Sequence, residues 1–272
     1  MRKLLFRAHG PWDERTASEI LVNNEIGGNT GNLLFLHSVM RTLMTEDTEI
    51  DTMSFLHRKH ISQREVDYCN SEYDAFIIPL ACAFRPSFTG ELDVLADFVS
   101  RLKIPCVVAG AGIQARCSYK GLSEDVNHSV RNFLNAVLDK SDCVGLRGEH
   151  TAQYLKYLGY KEEKDYTIIG CPSMYTFGDS LPEPRLTELT SGSKAAYNCK
   201  PTLKRRHYDF IRREAARFDN AMYISQIHRE IRSLYVGMPY PVLSSYPPDF
   251  PVHLSAPEMQ EGRMIGVLDK YS

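Results

Sequence analysis

Ala75-Phe76-Ile77-Ile78-Pro79-Leu80 is an uninterrupted apolar run. A strand with one face in water alternates apolar and polar residues, so a run without alternation describes a strand covered on both faces. Working outward, Cys106-Val107-Val108-Ala109 is a second run of this kind, and Cys143-Val144-Gly145-Leu146 and Thr167-Ile168-Ile169 are shorter ones. Leu4-Leu5-Phe6 and the alternating Ile50 to Phe55 read as strands that come earlier. Between them the spacing changes to threes and fours: Leu92, Leu95, Ala96, Val99 and Leu102, then Val126, Val130, Phe133, Leu134, Val137 and Leu138. That spacing places apolar residues on one side of a helix. Another helix is expected from the glycine loop to about Leu43, and one from Thr151 to Leu158 with Gly159 as its stop. Strands alternating with helices predict an α/β fold with a Rossmann-like, mostly parallel sheet. The polar stretch from His9 to Asn24 suggests no regular element.

Residues 179–193 are rich in Pro, Gly, Ser and Thr and read as a linker. The expected division is a Rossmann-like domain over 1–178, this linker, and a partial second Rossmann-like domain over 194–272. The second part offers a strand at Ala195-Ala196-Tyr197, a basic amphipathic helix over Leu203 to Phe218 and a strand at Ala221-Met222-Tyr223-Ile224. Arg205, Arg206, Arg212, Arg213 and Arg217 of that helix are expected to face solvent. After Leu234 the periodicity fails, and Pro239, Pro241, Pro247, Pro248, Pro251 and Pro257 follow.

Of the 272 residues, 43% are hydrophobic and 24% charged, the balance of an ordinary globular protein. With 32 basic and 34 acidic residues the net charge is −2, which does not point to nucleic acid as a partner. No stretch is apolar over the length a membrane helix needs, and Met1 to Arg7 lacks the apolar core of a signal peptide. The seven cysteines are odd in number, widely spaced and without a Cys-x-x-Cys pair, so buried thiols in a cytoplasmic protein are expected rather than disulfides or a metal site. Asn127-His128-Ser129 fits a glycosylation sequon but falls inside a helical pattern.

In open parallel sheets ligands gather at the carboxyl ends of the strands. Four loops share that edge by sequence: Gly27-Gly28-Asn29-Thr30-Gly31-Asn32, Ala81-Cys82-Ala83-Phe84-Arg85-Pro86, Gly110-Ala111-Gly112-Ile113-Gln114 and Arg147-Gly148-Glu149-His150-Thr151. Backbone N–H groups at a helix start attract anions, and arginine grips phosphate or carboxylate at two points. The site residues expected to bind substrate are therefore Asn29, Gly31, Asn32, Arg85, Gly112, Gln114, Arg147 and Ser173. Glu149 and His150 are the candidates for acid–base work. Each has a plainer reading: a turn with an asparagine cap, a tight strand-to-helix turn, a surface charge at Arg85, an Arg147–Glu149 ion pair, polar surface at His150, or Thr151 as a helix cap. His9 and His37 lie away from these motifs and carry less.

The order of segments resembles the polysaccharide pyruvyl transferase family. The resemblance rests on Gly28-Asn29-Thr30-Gly31-Asn32, on Gly110-Ala111-Gly112-Ile113-Gln114, and above all on Val144-Gly145-Leu146-Arg147-Gly148-Glu149-His150-Thr151-Ala152 followed by Leu155, Leu158 and Gly159. Ile168-Ile169-Gly170-Cys171-Pro172-Ser173 completes it, so that it spans roughly residues 1–175. It implies a GT-B-like two-domain fold with the active site in a cleft, and phosphoenolpyruvate as donor of a pyruvyl ketal to a sugar of a surface polysaccharide. The implied partners are phosphoenolpyruvate and a glycan or lipid-linked sugar acceptor, with no separate cofactor and no metal, in the cytoplasm. One departure stands out. Family members carry an Arg-x-His-Gly type motif late in the second domain, whereas here His253 lacks the glycine and His228-Arg229 has the order reversed. A chain of this length is thus expected to be either a working transferase or a shortened, inactive one. Two other readings stay open: a nucleotide-sugar-dependent glycosyltransferase of the same architecture, and a non-catalytic remnant that binds an anion or a partner.

Overall fold

The structure is a computed structural model, described here for residues 1–10, 16–55, 57–115, 122–181, 183–184, 187–197, 205–224 and 226–235. The described residues form two compact units, one from 1–13 with 34–181 and one from 14–33 with those from 182 onward.

The first unit is built on a parallel sheet. Strand β1 (Arg2–Ala8) lies between β2 (Thr48–Ser54) and β3 (Ala75–Pro79), and β3 pairs with β4 (Cys106–Ala109), giving the order β2-β1-β3-β4. Strands β5 (Val144–Leu146) and β6 (Tyr166–Ile168) pair in parallel beside it. They join the β4 side where the Ala111 N–H donates to the Gly145 carbonyl at 2.9 Å and the Arg147 N–H to the Ala111 carbonyl at 2.8 Å. Between β1 and β2 the chain forms α1 (Ala17–Val22) and α2 (Thr30–Leu43). The later crossovers are α3 (Gln63–Glu72), α4 (Thr89–Arg101), α5 (Glu124–Leu138) and α6 (Glu149–Tyr157).

The apolar run that decides the fold does what its composition requires. Phe76 and Ile78 of β3 enter one core with the stripes of α3, α4 and α5, while Ile77 enters a second with Phe6, Val39 and Met40. Phe55, Phe76 and Phe98 pack as a trio with ring centroids 5.9, 5.5 and 5.3 Å apart. The second layer is thinner. α2 covers β1 and β3, and Val107, on the face of β4 that pairs with Ile77, stays 42% exposed.

Three helices lie where no helical pattern was read: α1, α3 and the segment His228–Tyr235. Thr16 and Glu19 form a capping box at α1, and Ser62 and Glu65 form another at α3. The sequon asparagine is structural: the Asn127 amide donates to Glu124 at 3.0 Å and its oxygen accepts from the Tyr154 hydroxyl at 2.7 Å. This pins α5 to α6 with Asn127 1% exposed. Cys69 and Cys106 are free, buried thiols, which burial pushes up to about 11 and about 12.

The second unit has parallel β7 (Lys194–Tyr197) and β8 (Asn220–Tyr223), with α7 (Arg205–Ala215) between them and α8 (His228–Tyr235) after them. Ile211 and Ala215 of α7 are buried, and Arg213 and Arg217 are exposed as expected; the side chains of Arg205, Arg206 and Arg212 lie outside the described residues. α1 packs on α8. The glycine loop pairs with the segment before α8: the Thr30 N–H donates to the Gln226 carbonyl at 2.9 Å and the His228 N–H to the Gly28 carbonyl at 3.0 Å. The proline-rich stretch and His253 lie outside the described residues. Among the described residues no helix is long and apolar enough to cross a membrane.

Candidate functional site

In the order β2-β1-β3-β4 the crossovers change direction between β1 and β3, and in such sheets the crevice opens beyond the carboxyl ends of those strands. The loops leaving β3, β4 and β5 do not splay there. The Gly112 N–H donates to the Ala81 carbonyl at 3.2 Å, the Phe84 N–H to the Gly112 carbonyl at 3.0 Å and the Gln114 N–H to the Phe84 carbonyl at 3.1 Å. The Ile113 N–H donates to the Thr151 hydroxyl at 3.2 Å, so Thr151 ties α6 to the β4 loop. Three of the four sequence loops are therefore laced edge to edge on one rim of the first unit.

Two arginines come together on that rim. Arg85 is half-buried; its Nε donates to the Ser87 hydroxyl at 3.1 Å, its Nη1 to the Cys82 carbonyl, and its guanidinium lies 5.0 Å from the Phe88 ring centroid. Arg147 is exposed; its Nη1 donates to the Cys82 sulfur at 3.6 Å and its guanidinium lies 5.9 Å from the Phe35 ring centroid. Cys82 is thus common to both. Among the described residues neither arginine is paired with a carboxylate, and no ion pair joins Arg147 to Glu149. Two guanidinium groups without a counter-charge, held by a thiol, a carbonyl and aromatic rings, keep hydrogen-bond donors for an anion.

The other expected site residues divide between the units. Gly112 is buried beneath Arg147, and Gln114 is exposed at the end of the rim. Glu149 is exposed and His150 half-buried at the start of α6. Ser173 sits in a short 3-10 turn, Pro172–Tyr175, where its carbonyl accepts from the Thr176 hydroxyl at 2.7 Å. Asn29, Gly31 and Asn32 belong to the second unit. There Asn29 accepts from the Gly31 N–H at 2.7 Å and the Asn32 amide donates to the Gly27 carbonyl at 2.7 Å, so both side chains are engaged in their own turn.

Sequence reasoning overlooked Arg7 at the end of β1 and gave the nearby His9 little weight. Arg7 is buried; its Nε donates to Glu91 at 2.9 Å, its Nη2 to the same carboxylate oxygen, and its Nη1 to the Pro79 carbonyl at 3.3 Å. Its guanidinium also lies 5.5 Å from the Phe88 ring centroid. His9 follows, with a buried Nδ1 that has no partner among the described residues. Burial, then the nearby Arg7 cation, lowers its pKa from 6.5 to about 4, against a smaller upward pull from Glu91. The only sequence signal was a charge near the end of the strand, two residues after the apolar Leu5, with a histidine two residues further on.

The shift has a stability consequence. Folding holds His9 neutral, so protons bind the unfolded chain first as pH falls. Stability is therefore expected to drop between pH 6.5 and about 4, by up to about 3 kcal/mol. Glu65, held near 2 by Arg58 and its cap, adds a smaller loss between 4.5 and about 2, reduced because the pair is exposed. Urea midpoints at stepped pH, compared between the wild type and His9→Asn, check the first window.

With this geometry in hand, comparison with known proteins gives three findings. The family model described as polysaccharide pyruvyl transferase matches residues 29–240. No curated protein sequence matches the chain. A crystal structure of a functionally uncharacterized protein from Klebsiella pneumoniae is similar over 87% of this chain and 81% of its own length, at 14% identity and a TM-score of 0.41. The family match runs from the glycine loop through all of the rim and past the end of α8, and by it the chain belongs to the polysaccharide pyruvyl transferase family.

Proposed function

We propose that this chain transfers the pyruvyl group of phosphoenolpyruvate, as a ketal, to a sugar of a surface polysaccharide, with Arg85 and Arg147 holding the donor. The observation that carries this reading is the pair of guanidinium groups meeting at Cys82 with no carboxylate partner among the described residues. Phosphoenolpyruvate presents a phosphate and a carboxylate on one small carbon skeleton, and two arginines suit two such groups. In the reaction a proton adds to the enolpyruvyl methylene, which becomes a methyl group. A sugar hydroxyl loses its proton and bonds to the adjacent carbon. A second hydroxyl of the same sugar then displaces phosphate and closes the ketal. The arginines would favour the step in which charge gathers on the departing phosphate. Glu149 and His150 stand beside Arg147 in sequence and are assigned the proton transfers. The amides of Gly112 and Gln114, with Ser173, would line the same rim, and Asn29, Gly31 and Asn32 are further residues proposed to bind substrate. A GT-B-like pairing of two Rossmann-like halves, joined near residues 179–193, and action in the cytoplasm, where phosphoenolpyruvate is made, belong to the same reading.

Calorimetry with phosphoenolpyruvate is the test. Arg147→Ala and Arg85→Ala are each expected to weaken binding about 10- to 100-fold, the loss of a charge-assisted contact. Unchanged binding with a lower melting temperature would assign Arg147 to holding its loop instead. Heat with nucleotide sugars and none with phosphoenolpyruvate would select the glycosyltransferase reading. Release of phosphate with an acid-labile ketal on a glycan would establish the reaction.

A further inference from the structure

We infer that a groove between α3 and the edge strand β2 holds an acidic sugar of the polysaccharide, its carboxylate on Arg64 and its ring against Tyr68 and Tyr73. The inference rests on the transferase reading above and adds to it a second site, for a repeat of the polymer that already carries its ketal. The groove lies within the first unit and has a volume of about 310 Å³, room for one sugar ring and its substituents. Leu5 and Met53 line it from the sheet face on which α3 packs. The rings of Tyr68 and Tyr73 meet edge to face with centroids 6.1 Å apart, and Tyr68 is 57% exposed. Of the arginines in the lining, Arg58 donates to Glu65 at 2.5 Å. Arg64 is exposed and pairs with no carboxylate among the described residues. The groove thus keeps one uncompensated positive charge. Arg64 and Tyr68 are four residues apart on α3 and so share a face. The Tyr73 hydroxyl donates to Asp51 at 2.8 Å, whereas that of Tyr68 has no partner among the described residues.

The chemistry selects such a sugar. The ketal carbon of the proposed product carries a carboxylate and a methyl group. The carboxylate suits an arginine without a counter-charge. The methyl group and the C–H face of the ring suit Leu5, Met53 and the tyrosine rings, and a ring hydroxyl suits that of Tyr68. A neutral sugar would leave Arg64 unused, and a bare phosphate would leave the apolar floor unused. The position fits a polymer as well. Helix α3 follows β2, so its first turn, with Arg64, stands at the carboxyl edge of the sheet, the edge that also carries the rim. β2 lies two strand spacings from β3, about 10 Å, a separation that neighbouring repeats of one chain can bridge.

The full chain is tested by nuclear magnetic resonance with three probes: the pyruvyl ketal of methyl galactoside, methyl galactoside itself and inorganic phosphate. The ring signals of Tyr68 and Tyr73 are expected to move with the ketal, and far less with the other two at the same concentration. Arg64→Ala and Tyr68→Ala are each expected to weaken the ketal about tenfold. Both side chains are exposed, so the melting temperature and the heat of phosphoenolpyruvate binding are expected to stay as they were. Arg64→Lys is expected to recover part of the ketal binding. Tyrosine signals unmoved by the ketal overturn the assignment. So do signals that the neutral glycoside or phosphate moves as far, or an Arg64→Ala protein that binds the ketal as well as before. The ketal is supplied ready-made, so this outcome does not wait on turnover. Absence of phosphoenolpyruvate heat in the wild type removes the donor reading and leaves a ketal shift standing; heat without a ketal shift removes the groove alone.

Discussion

Glu91→Ala is expected to destabilise the first unit by about 3–5 kcal/mol, the cost of leaving a buried charge without its partner. The side chains of Arg7 and Glu91 are only 8% and 15% exposed, so water cannot take over the carboxylate's place. Two of the guanidinium's bonds end on one Glu91 oxygen, and the remaining polar contact, to the Pro79 carbonyl at 3.3 Å, is long. The Phe88 ring offers a face but no charge. The pair also ties together three parts of the rim: the end of β1, the last residue of β3 and the first turn of α4. Replacing both charges by apolar side chains of similar size, Arg7→Met with Glu91→Leu, is expected to recover most of the loss, because neither buried charge then remains. Urea denaturation of the two singles and the double gives the cycle. A Glu91→Ala cost below about 1 kcal/mol would place this pair among ordinary exposed bridges, and the buried clamp would be wrong.

What the sequence could and could not reveal follows from the range of each interaction. Phe76, Ile77 and Ile78 announce a doubly covered strand because burial on two faces is written in consecutive residues. The stripes Leu92–Leu95–Val99 and Val126–Val130–Phe133–Val137 are equally local, and α4 and α5 lie where they predict. α1 and α3 escaped a reading based on apolar stripes, since each is short and α3 buries only Val66 and Cys69. Their true signal was polar: Thr16 before Glu19, and Ser62 before Glu65, at capping-box spacing. Val107 shows the reverse limit. An apolar run can state that a strand is fit for burial, and the layer laid over it decides how much is buried.

The site divides in the same way. Arg85 and Arg147 could be picked out from loops that follow strands, but their meeting at Cys82 depends on lateral bonds between loops far apart in the chain. Arg7 is harder still, for its partner Glu91 is 84 residues away. The substrate class never followed from the residues alone; it came with the order of motifs, and the family match over 29–240 supports the family and not the donor.

Gly110→Ala should cost about 2–5 kcal/mol and disturb Arg147 along with the fold, by combining backbone strain with overpacking. Gly110 has φ +70, a conformation that L side chains rarely adopt. A Cβ there would lie 2.6 Å from the Phe35 ring and 2.7 Å from Pro172, inside the closest approach real side chains show. Neither neighbour can yield freely. Phe35 is only 4% exposed, and the proline ring is rigid and buried. Any shift of Phe35 is passed to Arg147, whose guanidinium lies over that ring at 5.9 Å. Gly112, two residues on, makes the control: a Cβ there meets nothing closer than 3.6 Å, and its φ is not positive. Gly112→Ala is therefore expected to stay within about 1 kcal/mol of the wild type. If the two alanine variants unfold at the same urea concentration, the close packing of Gly110 against Phe35 and Pro172 does not govern the rim. If Gly110→Ala alone falls, and loses phosphoenolpyruvate affinity beyond its loss of stability, the glycine sets the place of the arginine as well as the turn.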